Sequence, residues 1–137
     1  MDGLTLVTNN AEAIALADDS IKTIMVSGSP IDVLNRVCEM LRNGYRLIST
    51  PLPPNVSMMR SPFRSLLIMP SEVSRDASGI EATLRAIDVI ERQRKISTFA
   101  GKDAVIISDY AMIDIEYVKR AAEEYGLLRE LSAEVTQ

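Results

Sequence analysis

The sequence predicts a single α/β domain over residues 1–137, with a mostly parallel sheet of four or five strands flanked by helices. Three observations carry this expectation. Short apolar segments alternate with segments of helical spacing in the order strand, helix, strand, helix, strand, which is the order of right-handed α/β units. The chain is 47% hydrophobic and 25% charged, a balance that folds and buries roughly two-thirds of the unfolded chain's surface. No internal repeat or low-complexity tract competes with that reading.

Each element has its own warrant. "LTLV", Leu4 to Val7, is short and apolar, and the polar "TNN" ends it as a first strand. "AEAIALAD" then reads as a helix with Asn9 or Asn10 as its N-cap. "IKTIMV", Ile21 to Val26, is a second buried strand, stopped by "SGSP". From Ile31 the residues Leu34, Val37, Cys38 and Leu41 keep helical spacing, with Pro30 near the first helical position and Asn43-Gly44 at the end. "YRLIS", Tyr45 to Ser49, is a third strand and "SLLIM", Ser65 to Met69, a fourth.

Beyond the polar run "PSEVSRDASG", Ile80, Leu84, Ile87 and Ile90 mark a helix. It ends in "RQRK", cations that suit the negative end of a helix dipole. "KDAVIISDY" fits either a fifth strand or a helical turn, because periodicity does not separate the two over so few residues. The last helix places Ile115, Val118, Ala122 and Tyr125 on one face, with Asp109 or Asp114 as cap and Gly126 as stop. Residues 127–137 are expected to fray.

Composition removes much of the usual chemistry. The chain has no histidine, hence neither the commonest general base nor the commonest metal ligand. Its single cysteine, Cys38, falls in the apolar pattern of a helix and is expected to be a buried, inert thiol. No phosphate-binding glycine motif follows a predicted strand. The acid pairs in "ADDS" and "AAEEY" read as solvated surface rather than as paired catalytic carboxylates. No catalytic residue, metal site or cofactor is therefore expected, and the protein is expected not to be an enzyme. The net charge of −4 argues against nucleic acid as a partner. Without a secretory leader or an apolar run of membrane-spanning length, a soluble cytoplasmic protein is expected.

One region stands apart. From Met40 to Ser71 there is no Asp or Glu, yet Arg42, Arg46, Arg60 and Arg64 all fall there. The connection from Ser49 to Arg64 exceeds the usual 4–6 or so residues of a compact domain's loops, the length at which loops carry function. In open parallel sheets ligands bind beyond the carboxyl ends of the strands. Here those ends read Thr8 to Asn10, Ser27 to Pro30 and Ser49 to Pro51. Asn9, Asn10, Ser27, Gly28, Ser29, Thr50, Arg60 and Arg64 are thus candidate ligands of a small carboxylate or phosphate, held by guanidinium forks and helix N-termini. The competing interpretation is that the asparagines and serines cap helices and turns while the arginines keep a loop soluble. Pro51, Leu52, Pro62 and Phe63 are candidates for docking a protein partner, and a sheet edge covered in a homodimer is a further expectation.

The same stretches resemble the GrdX family, small proteins associated with glycine, sarcosine and betaine reductase systems. The resemblance rests on "TNN" at Thr8 to Asn10, "VLNRVCEMLRNGYRLISTPLPPNV" at Val33 to Val56, "SPFRSLLI" at Ser61 to Ile68 and "DYAMIDIEYVKRA" at Asp109 to Ala121. Where the family tends to carry histidine this chain has Tyr45 and Thr50, and an "AGS" element becomes "PPN" at Pro53 to Asn55. Any role of those histidines does not carry over. The resemblance implies an accessory or regulatory protein acting through the loop at 49–64, with reductase components as partners. A small-anion binding or sensing domain is the alternative.

Overall fold

The computed structural model describes residues 3–16, 21–51, 61–71, 75–96 and 104–135. Among these, β1 (Thr5–Thr8), β2 (Lys22–Met25), β3 (Tyr45–Leu47) and β4 (Ser65–Pro70) form one sheet in the order β2-β1-β4-β3. A 3-10 helix, Ala11–Leu16, follows β1, and the α-helices are α1 (Pro30–Arg42), α2 (Ala77–Ile96) and α3 (Ala104–Val135).

The sheet is mixed, which corrects the expectation of a mostly parallel one. Only one pair of neighbouring strands among the described residues, β1 and β2, is parallel; β4 is antiparallel to both β1 and β3. Parallel neighbours need a crossover, usually a helix, whereas antiparallel ones do not. The chain between β3 and β4 carries no helical pattern, and β4 returns between β1 and β3. The unbroken apolar runs of β1 and β4 misled because they have a different origin. Both strands are central and covered on both faces, which removes the polar alternation as effectively as parallel packing does.

Alternation within those strands sorts the core into two layers. Val7, Leu66 and Ile68 point to one face and pack with Val33, Leu34, Val37 and Leu41 of α1 and with Ala86 and Ile90 of α2. Leu6 and Leu67 point to the other face and pack with Val118 of α3 and Ala13 of the 3-10 helix. Cys38 is buried on α1. On α2 the buried positions among the described residues are Gly79, Thr83, Ala86 and Ile90, while Leu84 is 46% exposed. The helix is therefore turned slightly from the stripe its aliphatic residues suggest.

The helix ends differ in instructive ways from expectation. α1 opens at Pro30 and ends before Gly44, as predicted, with Gly44 at φ +99°; the reciprocal capping box of Ser29 with Asp32 was not foreseen. Of the "AEAIALAD" stretch, Ala11–Leu16 form a 3-10 helix and the rest lies outside the described residues; Asn10 Oδ1 still accepts the Glu12 N–H at 3.1 Å. The ambiguous "KDAVIISDY" is helical from Ala104 onward. α3 runs through Asp109, Asp114 and Gly126, so none of them caps or stops it. A mid-helix glycine costs only about 1 kcal/mol, less than the packing of an apolar face recovers. Asp76 was not anticipated. Its Oδ1 accepts the Gly79 N–H at the start of α2, and its Oδ2 accepts the Leu47 N–H of the edge strand β3 at 2.9 Å.

The topology has one consequence for function. β1, β2 and β3 all point the same way, and β4 opposes them. Three carboxyl ends and the start of β4 therefore share one end of the sheet.

Candidate functional site

Asn9 ties that end together. Its Nδ2 donates to the Gly28 carbonyl beyond β2 at 3.0 Å and to the Pro62 carbonyl before β4 at 2.9 Å. Its Oδ1 accepts the Arg64 backbone N–H at 2.8 Å, and its own N–H donates to the Arg64 carbonyl. One asparagine thus fixes where the long loop returns to the sheet.

Asn10 turns the opposite way, into the layer under α3. It is 1% exposed, and its Nδ2 donates to the Ala111 carbonyl at 3.0 Å and to Asp114 Oδ2 at 3.1 Å. Thr8 and Ser65 are directly paired in the β1–β4 register and share the parity of Leu6 and Leu67, so their hydroxyls also face α3. The hydroxyls lie 2.6 Å apart, and Ser65 Oγ donates to Asp114 Oδ2 at 2.6 Å. Because the single Ser65 hydroxyl hydrogen goes to the carboxylate, Thr8 donates to Ser65 and accepts the Asn10 N–H at 2.9 Å. A directed chain results: Asn10 N–H, Thr8 O–H, Ser65 O–H, Asp114.

Arg64 closes this cluster. Its residue is 7% exposed, yet Nε and Nη2 are buried with no hydrogen-bond partner among the described residues. Burial lowers its pKa, opposed chiefly by the Asp114 carboxylate and secondarily by the Tyr117 phenol. Burial likewise raises the Asp114 pKa, opposed by the hydrogen bonds from Ser65 and Asn10 and by the Arg64 charge. Nε and Nη2 lie on one edge of the planar guanidinium, and their N–H bonds are parallel. That edge has the spacing of two oxygens of a carboxylate or phosphate. Buried polar groups are nearly always bonded, and an orphaned buried donor costs about 1–3 kcal/mol or more when charged.

The other predicted residues divide. Gly28 adopts φ +140°, and a Cβ there would stand 2.2 Å from Asp32 Oδ2. Its role is to let the turn approach the α1 cap. Ser29 donates its N–H and Oγ–H to Asp32 Oδ2, so a carboxylate of the chain itself already occupies the α1 N-terminus. Ser27 is exposed and lines an open groove of about 410 Å³ with Met25, Asp32, Arg36 and Glu39. Thr50 is exposed, and its hydroxyl bonds that of Tyr117 on α3. Pro51, Pro62 and Phe63 are half-buried, and the Phe63 N–H donates to Ser61 Oγ at 3.1 Å. Leu52 and Arg60 lie outside the described residues.

Asp114, Ser65, Thr8 and Tyr117 belong to the cluster but were not among the sequence candidates. Asp114 carried a signal: it stands four residues before Val118 and three after Ala111, an acid on the buried face of its helix. Reading it as a cap concealed that.

A family model for GrdX-like proteins matches residues 5–123, spanning the sheet, the cluster and α3 as far as Glu123. The chain belongs to the GrdX-like family. Membership is consistent with association with glycine reductase, and the match includes all of Asn9, Asn10, Arg64, Ser65 and Asp114. No curated protein and no solved structure matches the chain significantly. Among the described residues no group of metal-ligating side chains could hold an ion, and no helix is long and apolar enough to cross a membrane.

Proposed function

We propose that this protein serves a glycine-reductase-type system as a non-enzymatic accessory or regulatory protein that binds a small oxyanion, a carboxylate or phosphate, at Arg64. The observation that carries this reading is the buried guanidinium edge of Nε and Nη2, whose donors have no partner among the described residues. A purely structural arginine would spend those donors on carbonyls or carboxylates of the fold. An oxyanion bound there accepts both and replaces the water the guanidinium has lost. Asn9 holds the backbone of Arg64, and through Gly28 and Pro62 joins the ligand's position to the two ends of neighbouring chain segments.

Family membership supports the pathway, and the loop from 49 to 64 is the proposed contact with a reductase component. That loop is anchored at both ends. Ser49 Oγ accepts the Leu67 N–H at 2.9 Å, and Asn9 grips Pro62 and Arg64. Anion binding at its return point would then set how the loop is presented.

A thermal-shift screen with acetate, phosphate and sulfate tests the anion site. A ligand at a hundredfold excess over Kd stabilises the folded state by about 2.7 kcal/mol, and Arg64→Lys, which keeps the charge but loses the two-donor edge, should abolish most of that gain. A flat response to all three anions in the unaltered protein refutes the site. Affinity capture from the native host tests the pathway, and recovery of no reductase component argues against it.

A further inference from the structure

We infer that the Arg64 site takes up its oxyanion together with one proton, which Asp114 carries. This rests on the oxyanion reading of Arg64 and adds to it how the site keeps its charge balanced. Arg64 and Asp114 are each 7% exposed and influence one another electrostatically, one positive and one negative charge held out of water. A monoanion entering on the guanidinium edge brings a second negative charge into the same poorly solvated volume. Like charges in such a site do not both remain ionised, and the carboxyl group's affinity for a proton rises.

The neighbours of Asp114 leave it as the group that responds. From β1 and the turn after it come Thr8 and Asn10, and from β4 comes Ser65, all neutral. The charge facing it is Arg64, which holds its proton throughout the physiological range. On α3 itself the neighbouring titratable groups are the half-buried phenols Tyr110 and Tyr117 and the exposed carboxylate Asp109.

The hydrogen bonds also say where the proton goes. Both recorded donors to Asp114, Ser65 Oγ–H and Asn10 Nδ2–H, are directed to Oδ2. Protonation at Oδ1 therefore leaves the chain from Asn10 through Thr8 and Ser65 undisturbed. The proton comes from solvent, and no bond other than O–H forms. Burial already holds the Asp114 carboxyl above its ordinary range, the same direction in which a bound anion would push it.

Calorimetric titration of the full chain with sulfate and with acetate, in two buffers of different ionisation enthalpy, reads the proton directly. Neither probe takes up a proton of its own near neutral pH. The expected result is a heat that differs between buffers by the ionisation heat of up to one proton per anion. Affinity should also fall by up to about tenfold per pH unit where free Asp114 is ionised and bound Asp114 is not. Asp114→Asn should bind with no buffer dependence and with an affinity flat across the same range. Binding with equal heats in both buffers overturns proton uptake and leaves the oxyanion site standing. Absence of binding by either anion overturns both.

Discussion

The two faces of the sheet are built from the same strands and differ in kind. The face under α1 and α2 is aliphatic, with Val7, Val33, Leu34, Val37, Leu41, Leu66 and Ile68 all completely buried. The face under α3 is aliphatic only toward one end, around Leu6, Leu67 and Val118. At the other end it buries Thr8, Asn10, Ser65, Asp114 and the guanidinium of Arg64. A core of the first kind gains stability from every residue. A core with two buried charges gains none from them, since desolvation cancels attraction. The second face thus fills buried positions with groups that add nothing to stability.

Cutting the second face should give the largest effect. Asp114→Ala leaves Arg64 uncompensated and removes the acceptor of Ser65 and Asn10, and should lower stability by about 3–5 kcal/mol in urea unfolding. A loss below about 1 kcal/mol would show that the cluster is solvated. On the first face, Leu34→Ala opens a cavity and should cost about 3 kcal/mol while leaving the anion response in the thermal-shift screen intact. Loss of that response would mean the faces are coupled.

Removing both charges sharpens the contrast by its sign. Arg64→Met combined with Asp114→Asn replaces two buried charges by neutral groups of similar volume and should raise stability without ligand by about 1–4 kcal/mol, measured as a shift in urea midpoint at constant slope. Destabilisation instead would mean that the pair supports the fold. Asp76→Ala removes the α2 cap and the partner of the Leu47 N–H, and should cost about 1–2 kcal/mol, read as faster hydrogen exchange at Leu47.

The smallest effect is a slope. Burial makes folded Asp114 hold its proton more tightly than unfolded Asp114 does. Its contribution therefore favours folding at low pH and is lost as pH rises from the ordinary carboxylate range through the raised one, at no more than about 1.4 kcal/mol per pH unit. Asp114→Asn should flatten that part of the stability curve relative to the unaltered protein.

Much of this arrangement was legible in the residues. β1, β2, β3, β4 and α1 follow from apolar runs and their punctuation, and Asn9, Asn10 and Arg64 stood out at strand ends. Strand direction was not legible, because it depends on the route of the 48–64 connection and not on the composition of β4. Asp114 was missed because an acid near a helix start resembles a cap. Only the extension of α3 back to Ala104 moves it to mid-helix, onto the buried face. Thr8 and Ser65 read as ordinary strand residues until the antiparallel register paired them.

The cluster joins parts of the chain that are made at very different times. Asn10 meets Ala111 across 101 residues and Asp114 across 104, and Ser65 meets Asp114 across 49. Contacts of such sequence separation form after local ones and slow the search for the native state. During synthesis, strands β1 to β4 and helices α1 and α2 all emerge before Asp114 does. Arg64 therefore meets Asp114 only after α3 has been made, so the proposed site is complete only in chains synthesised past Asp114. Only such chains would answer the proposed anion.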